Sequence, residues 1–116
     1  MDKMKRQKHL TGTTECIECG CGKLYVTVNI DEAGVPFELF AHLGKSGGCA
    51  ASQTEALTRT ITLGLRHGLE AKQFVDQLRG ISCPSVGFDG GEKVLSCADA
   101  IARALQHVLE GRDEGE

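Results

Sequence analysis

The sequence has no Trp, one Tyr and four Phe among 116 residues. Few side chains therefore offer a large buried area, and the core must be built from smaller aliphatic groups. No apolar run is long enough to span a bilayer. The first ten residues are basic and polar with no apolar segment behind them, so they do not read as a secretory signal; the cytoplasm is the expected compartment. A net charge of −3 gives no general attraction for nucleic acid or an anionic membrane. No Gly-x-x-x-x-Gly-Lys-Ser/Thr phosphate-binding loop is present between a strand and a helix.

What is present describes one globular domain. Hydrophobic residues make up 41% and charged residues 25%, both ordinary for a folded protein. The 15 glycines raise the entropic cost of folding, so a covalent or metal staple would help a chain this short. Six cysteines are available for that purpose. In a reducing compartment they are better metal ligands or redox groups than structural disulfides.

Residues 1–10, with Lys3, Lys5, Arg6 and Lys8, read as a flexible basic arm, and 111–116 as a short acidic tail. Between them lies the domain proper, 11–110. Leu24, Val26, Val28 and Ile30 alternate with polar residues, as do Phe37, Leu39, Ala41 and Leu43. That period predicts an antiparallel hairpin with one buried face. From Ala50 to His67 the period becomes helical, with Leu57, Ile61 and Leu65 in one row and Gly68 as a natural stop. A shorter helix follows, with Ala71, Phe74, Val75 and Leu78 on one side and Gly80 at its end. Lys93–Leu95 suits a short edge strand. The last helix opens at Ser96, with Asp99 three positions on, close to a capping box. Ile101, Ala104, Leu105, Val108 and Leu109 form its apolar stripe. The fold class is α+β: a small antiparallel sheet with about three helices on one face.

Four cysteines fall at element boundaries. Cys21 precedes the first strand, Cys49 and Cys97 open helices, and Cys83 follows the second helix. Thiolates bind zinc or iron–sulfur clusters, and four complete a tetrahedral shell. Helix N-termini favour thiolate at Cys49 and Cys97. Lys23 and Lys45 are available to offset the negative charge. By spacing alone these residues read equally as small buried thiols. Cys16 and Cys19 form the one C-x-x-C, which is either a redox dithiol or half a metal site.

Thr11-Gly-Thr-Thr-Glu15 and Gly20-Cys-Gly-Lys-Leu-Tyr-Val-Thr-Val28 resemble the TSCPD family. So do Phe40-Ala-His-Leu-Gly-Lys-Ser-Gly-Gly-Cys-Ala50, Gln53-Thr-Glu-Ala56, Gly80-Ile-Ser-Cys-Pro84 and Val94-Leu-Ser-Cys-Ala-Asp-Ala-Ile101. The family's Ser-Cys-Pro-Asp reads Ser96-Cys97-Ala98-Asp99 here, and alanine is easily accommodated in a first helical turn. The resemblance implies a cysteine-ligated metal, zinc or an iron–sulfur cluster, held by Cys21, Cys49, Cys83 and Cys97. Cys16 and Cys19 are then extras, and Asp99 and Lys45 stand beside the site. It also implies kinship with the C-terminal domain of adenosylcobalamin-dependent ribonucleotide reductases, an enzyme class of DNA biosynthesis. A reductase or another protein is the expected partner. The chain is too short for the catalytic parts of such an enzyme, so it is not expected to reduce ribonucleotides alone. A more distant likeness is to U-type iron–sulfur scaffold proteins, which makes a cluster scaffold the second reading. A redox module using Cys16 and Cys19 is the third. His42, His67 and His107 read as surface or capping residues.

Overall fold

A computed structural model describes residues 2–44 and 48–114, with side chains through Gly111. Among these residues the elements run β1 (Thr11–Cys19), β2 (Gly22–Ile30), β3 (Pro36–Leu43), α1 (Gly48–Arg66), α2 (Ala71–Leu78), β4 (Gly87–Asp89), β5 (Glu92–Val94) and α3 (Cys97–Glu114). The α+β expectation holds. β1, β2 and β3 form an antiparallel sheet in that order, and β4 and β5 form a separate hairpin.

The expected hairpin is β2–β3, with Leu24 opposite Leu43 and Val28 opposite Leu39. Leu24, Val26, Val28 and Leu39 are each 1% exposed or less and face α1 and α3. Ile61 and Leu65 of α1 and Ile101, Ala104 and Leu105 of α3 meet them. Burying an aliphatic side chain of this kind contributes about 2 kcal/mol. An exposed pair such as Arg59–Glu55 contributes well under about 1 kcal/mol. Sheet–helix packing therefore holds the fold, and the surface charges adjust it.

β1 is the strand that periodicity does not announce. Thr11–Glu15 offers no apolar alternation, and only Ile17 and Cys19 are buried. The strand forms because its full length pairs with β2, from Thr11 opposite Ile30 to Cys19 opposite Gly22. Thr14 and Thr27 add a cross-strand hydroxyl contact at 2.7 Å. The expected edge strand is β5, but it pairs with β4 and not with the main sheet.

Helix ends follow the sequence signals. Gly68 has φ +93°, which permits the turn in which the Leu69 N–H donates back to the Gly64 carbonyl at 3.0 Å. Ser96 caps α3, its Oγ accepting the Asp99 N–H at 3.0 Å and donating to the Ile81 carbonyl at 2.6 Å. Asp99 does not reach back to Ser96 as a capping box would. It is 1% exposed and gathers four donors. Oδ1 accepts from the Gly80 N–H at 3.0 Å and Arg79 Nε at 3.2 Å. Oδ2 accepts from the Leu95 N–H at 3.1 Å and Arg103 Nε at 3.1 Å. This clamp joins the end of α2, the end of β5 and the first turn of α3.

The basic segment before β1 makes contacts with the sheet and with α1. Arg6 holds Glu38 through two bonds of 2.9 Å, and Asn29 adds a third at 2.7 Å. Glu38 lies on the sheet face expected to be solvated, yet it is only 3% exposed. The Met4 N–H donates to the Arg66 carbonyl at 2.7 Å, and Arg66 donates to the Met4 carbonyl. Arg66 also lies over the Phe37 ring, 5.2 Å from its centroid.

Two outcomes test these interactions. Asp99→Asn removes the negative charge that two guanidinium groups share and should cost about 3 kcal/mol in urea unfolding. At Glu38, burial raises the carboxyl pKa, but the bonds from Arg6 and Asn29 outweigh it, and the net shift is downward. A folded-state pKa below the unfolded value contributes stability above the unfolded pKa and loses it as pH falls through the folded one. Stability should therefore decline below about pH 4.3, the free-glutamate value. Arg6→Ala should flatten that part of a stability–pH profile measured by thermal melts.

Candidate functional site

The Asp99 clamp fixes the first turn of α3, and Cys97 is the first residue of that turn. Across from it stands the end of β1. Cys19 Sγ lies 3.6 Å from Cys97 Sγ, and Cys19 itself is 6% exposed. Cys19 Sγ is also 3.4 Å from the Gly22 carbonyl, which can accept the thiol proton. A disulfide requires about 2.05 Å. Two thiolates sharing one tetrahedral zinc at about 2.3 Å each stand about 3.8 Å apart. The observed separation suits a hydrogen-bonded thiol pair or two thiolates on one soft metal ion.

The two thiols differ sharply in acidity. The hydrogen bond between the two thiols, against the cost of burial, lowers the Cys19 pKa to about 6. Main-chain groups of Cys21 and Gly22 add to that effect. The Cys97 thiol is pushed far up by its bond to Cys19, by burial and by the charges of Cys19 and Cys21. The contact thus favours loss of one proton and opposes loss of the second. Removing the second leaves two negative sulfurs in contact, which needs a compensating cation.

Two more cysteines, Cys21 and Cys83, lie in segments next to this pair. Half-buried Cys21 sits in the β1–β2 turn and is close enough to Cys97 to act on its proton. Cys83 is half-buried, its N–H donating to the Leu95 carbonyl at 2.9 Å and its thiol to the Ser85 carbonyl at 3.1 Å. That loop presses on the β1–β2 turn: a Cβ on Gly20 would sit 2.1 Å from the Ser85 carbonyl oxygen. Gly20 is thus the residue that lets the Cys83 loop approach. Cys49 is exposed in the first turn of α1. Its neighbour Ala50 lines a groove of about 410 Å³ together with Gln53, Thr54, Cys97 and Ala98. Among the described residues, no group of three or more His, Cys, Asp or Glu side chains is placed so as to hold a metal ion.

Cys16 and Cys19 do not form a dithiol in this fold. β1 is extended and fully paired, so their Cα atoms are about 10 Å apart. A disulfide tolerates at most about 6.8 Å. Their side chains also leave opposite faces, with Cys16 exposed and Cys19 buried. In this extended geometry the two sulfurs are not within bonding reach of each other. The parity of the strand places Cys19 with the core-facing Ile17, a signal readable only once β1 is recognised as a strand.

Lys45 lies outside the described residues. Lys23 is exposed in β2, opposite Glu18 in the register. Asp99 has all its bonds committed to the clamp. His42 stacks on Tyr25 at 5.5 Å on the exposed sheet face. His67 follows the last residue of α1, and His107 pairs with Glu15 at 2.9 Å.

No helix is long and apolar enough to cross a membrane among the described residues. No curated protein and no solved structure matches the chain. The family model for the TSCPD domain matches residues 2–109. That match takes in the docked N-terminal segment, all six cysteines and the clamp, and the chain belongs to the TSCPD domain family.

Proposed function

We propose that this chain is an accessory module related to the ribonucleotide reductase-associated domains of its family, and that its cysteines hold one thiophilic metal ion. Zinc is the first choice because thiolates at tetrahedral separation suit it and no redox chemistry is required of it. The observation that carries the reading is the contact between Cys19 and Cys97, two thiols 78 positions apart in sequence. Family membership supports the reductase relation.

Cys97 is the central ligand in this proposal. Cys21 and Cys83 join it from the two segments that meet at Gly20, and Cys49 joins from the first turn of α1. Cys19 shares the site and competes with Cys21 for one position. A bound ion would replace the proton that the Cys19–Cys97 pair retains, and it would tie the β1–β2 turn to the ends of two helices. Ligation of this kind contributes folding free energy directly. The module then serves a reductase, or another protein, as a docking element and not as a catalyst.

Elemental analysis and an absorption spectrum of protein purified without air test the reading. Zinc near one per chain with no visible bands is expected. Iron with sulfide and a visible charge-transfer band would replace zinc with the cluster-scaffold reading. Absence of any metal would sink both. Cys97→Ser should abolish stoichiometric metal and lower the melting temperature, whereas Cys16→Ser should leave both unchanged. Comparing Cys19→Ser with Cys21→Ser decides which of the two completes the shell. A chelator should lower the melting temperature of the wild type and not that of Cys97→Ser.

A further inference from the structure

β3 is an edge strand of the main sheet, and its free side opens onto a groove of about 750 Å³ beside α1. The register fixes which main-chain groups point there. Gly44 donates its N–H to the Lys23 carbonyl at 2.8 Å, so even-numbered residues of this stretch bond towards β2. Odd-numbered residues point outward. At Leu39 that outward pair is already satisfied: Thr62 Oγ1 of α1 accepts the Leu39 N–H at 2.9 Å and donates to its carbonyl at 3.1 Å. Thr62 takes the place a neighbouring strand would fill. Beyond it, Ala41 and Leu43 turn their N–H and C=O groups to the groove, and no described residue bonds them.

Such groups specify an extended chain, because only a strand offers donors and acceptors at their spacing. The walls specify its chemistry. Exposed Phe40 and Leu63 supply apolar surface at 53% and 51% exposure. Lys3, Arg59 and Arg66 line the same groove, against one carboxylate, Glu55. The Arg59–Glu55 pair is open to solvent, with side chains 80% and 63% exposed, so Arg59 can exchange partners at little cost. A second copy joined edge to edge would bring the same cations together across a two-fold axis. An acidic strand would neutralise them.

We infer that the β3–α1 groove binds an extended, acidic segment of a partner protein by strand addition at Ala41 and Leu43. The main chain gives the register and the cations select carboxylate side chains. Thr62 acts as a stop that ends the added strand at Leu39. Among the described residues no cysteine lines this groove, so the docking reading does not rest on the proposed metal.

The test uses a fluorescein-labelled heptapeptide of alternating Glu and Val, flanked by Thr, titrated with the full chain in fluorescence anisotropy. Saturable binding is expected, with the lysine-for-glutamate peptide failing to bind. Ala41→Pro removes one outward N–H that makes no bond in the sheet, a position where an edge strand tolerates proline. It should weaken binding about tenfold, the worth of one hydrogen bond with its neighbours displaced. Arg59→Glu should also weaken it. A readout independent of any variant comes from N-methylating alternate amides of the peptide. One alternation should abolish binding to the wild type and the other should leave it intact. Equal effects of the two alternations would overturn strand addition. Equal binding of the lysine peptide would overturn the acidic partner. No binding of the acidic peptide, or a concentration-dependent dimer in sedimentation that Ala41→Pro abolishes, would overturn the proposal.

Discussion

One buried carboxylate organises the part of this molecule that carries chemistry. A lone anion at 1% exposure would be untenable, and Asp99 is held because four donors converge on it from three segments. The carboxylate therefore does more than cap a helix. It sets the angle at which α3 leaves the β4–β5 hairpin and where α2 stops. Since Cys97 begins the clamped turn, its sulfur position is a by-product of this electrostatic arrangement. The contact with Cys19 follows from two independent constraints, the clamp on one side and the β1–β2 ladder on the other.

Those constraints also explain how legible the chain is. The β2–β3 hairpin, the three helices and the stops at Gly68 and Gly80 were written in periodicity and in glycine, because each needs only local information. β1 was not, since Thr-Gly-Thr-Thr has no apolar stripe and becomes a strand only by pairing with β2. Missing that strand hid the parity of Cys19 and left Cys16 and Cys19 looking like a pair. Glu38 misled in the same way. Its alternation assigned it to the solvent, but Arg6, 32 positions earlier, covers it. Charge partners so distant in sequence leave no periodic trace.

The cysteines belong to two populations. Cys16 stands on the exposed face of the sheet, opposite Tyr25, whose ring stacks on His42. Cys19 and Cys97 are in contact at the opening of α3, and Cys21 and Cys83 lie in the two segments that meet at Gly20, where a helix start and close main-chain approach favour thiolate chemistry. The groove beside β3 is lined from strand, helix and N-terminal segment together. The Cys19–Cys97 contact and the β3 groove thus occupy different regions of one small domain.

The docking of the first residues has a consequence for what counts as the minimal folding unit. Secondary structure begins at Thr11, and a fragment trimmed to that point would keep every strand and helix. It would also strip Glu38 of its Arg6 ion pair, leaving the Asn29 hydrogen bond and the charge of Arg66, and leave α1 without its main-chain tether at Arg66. Contacts that the sheet depends on thus begin with Met4 and Arg6, several residues before the first hydrogen-bonded strand.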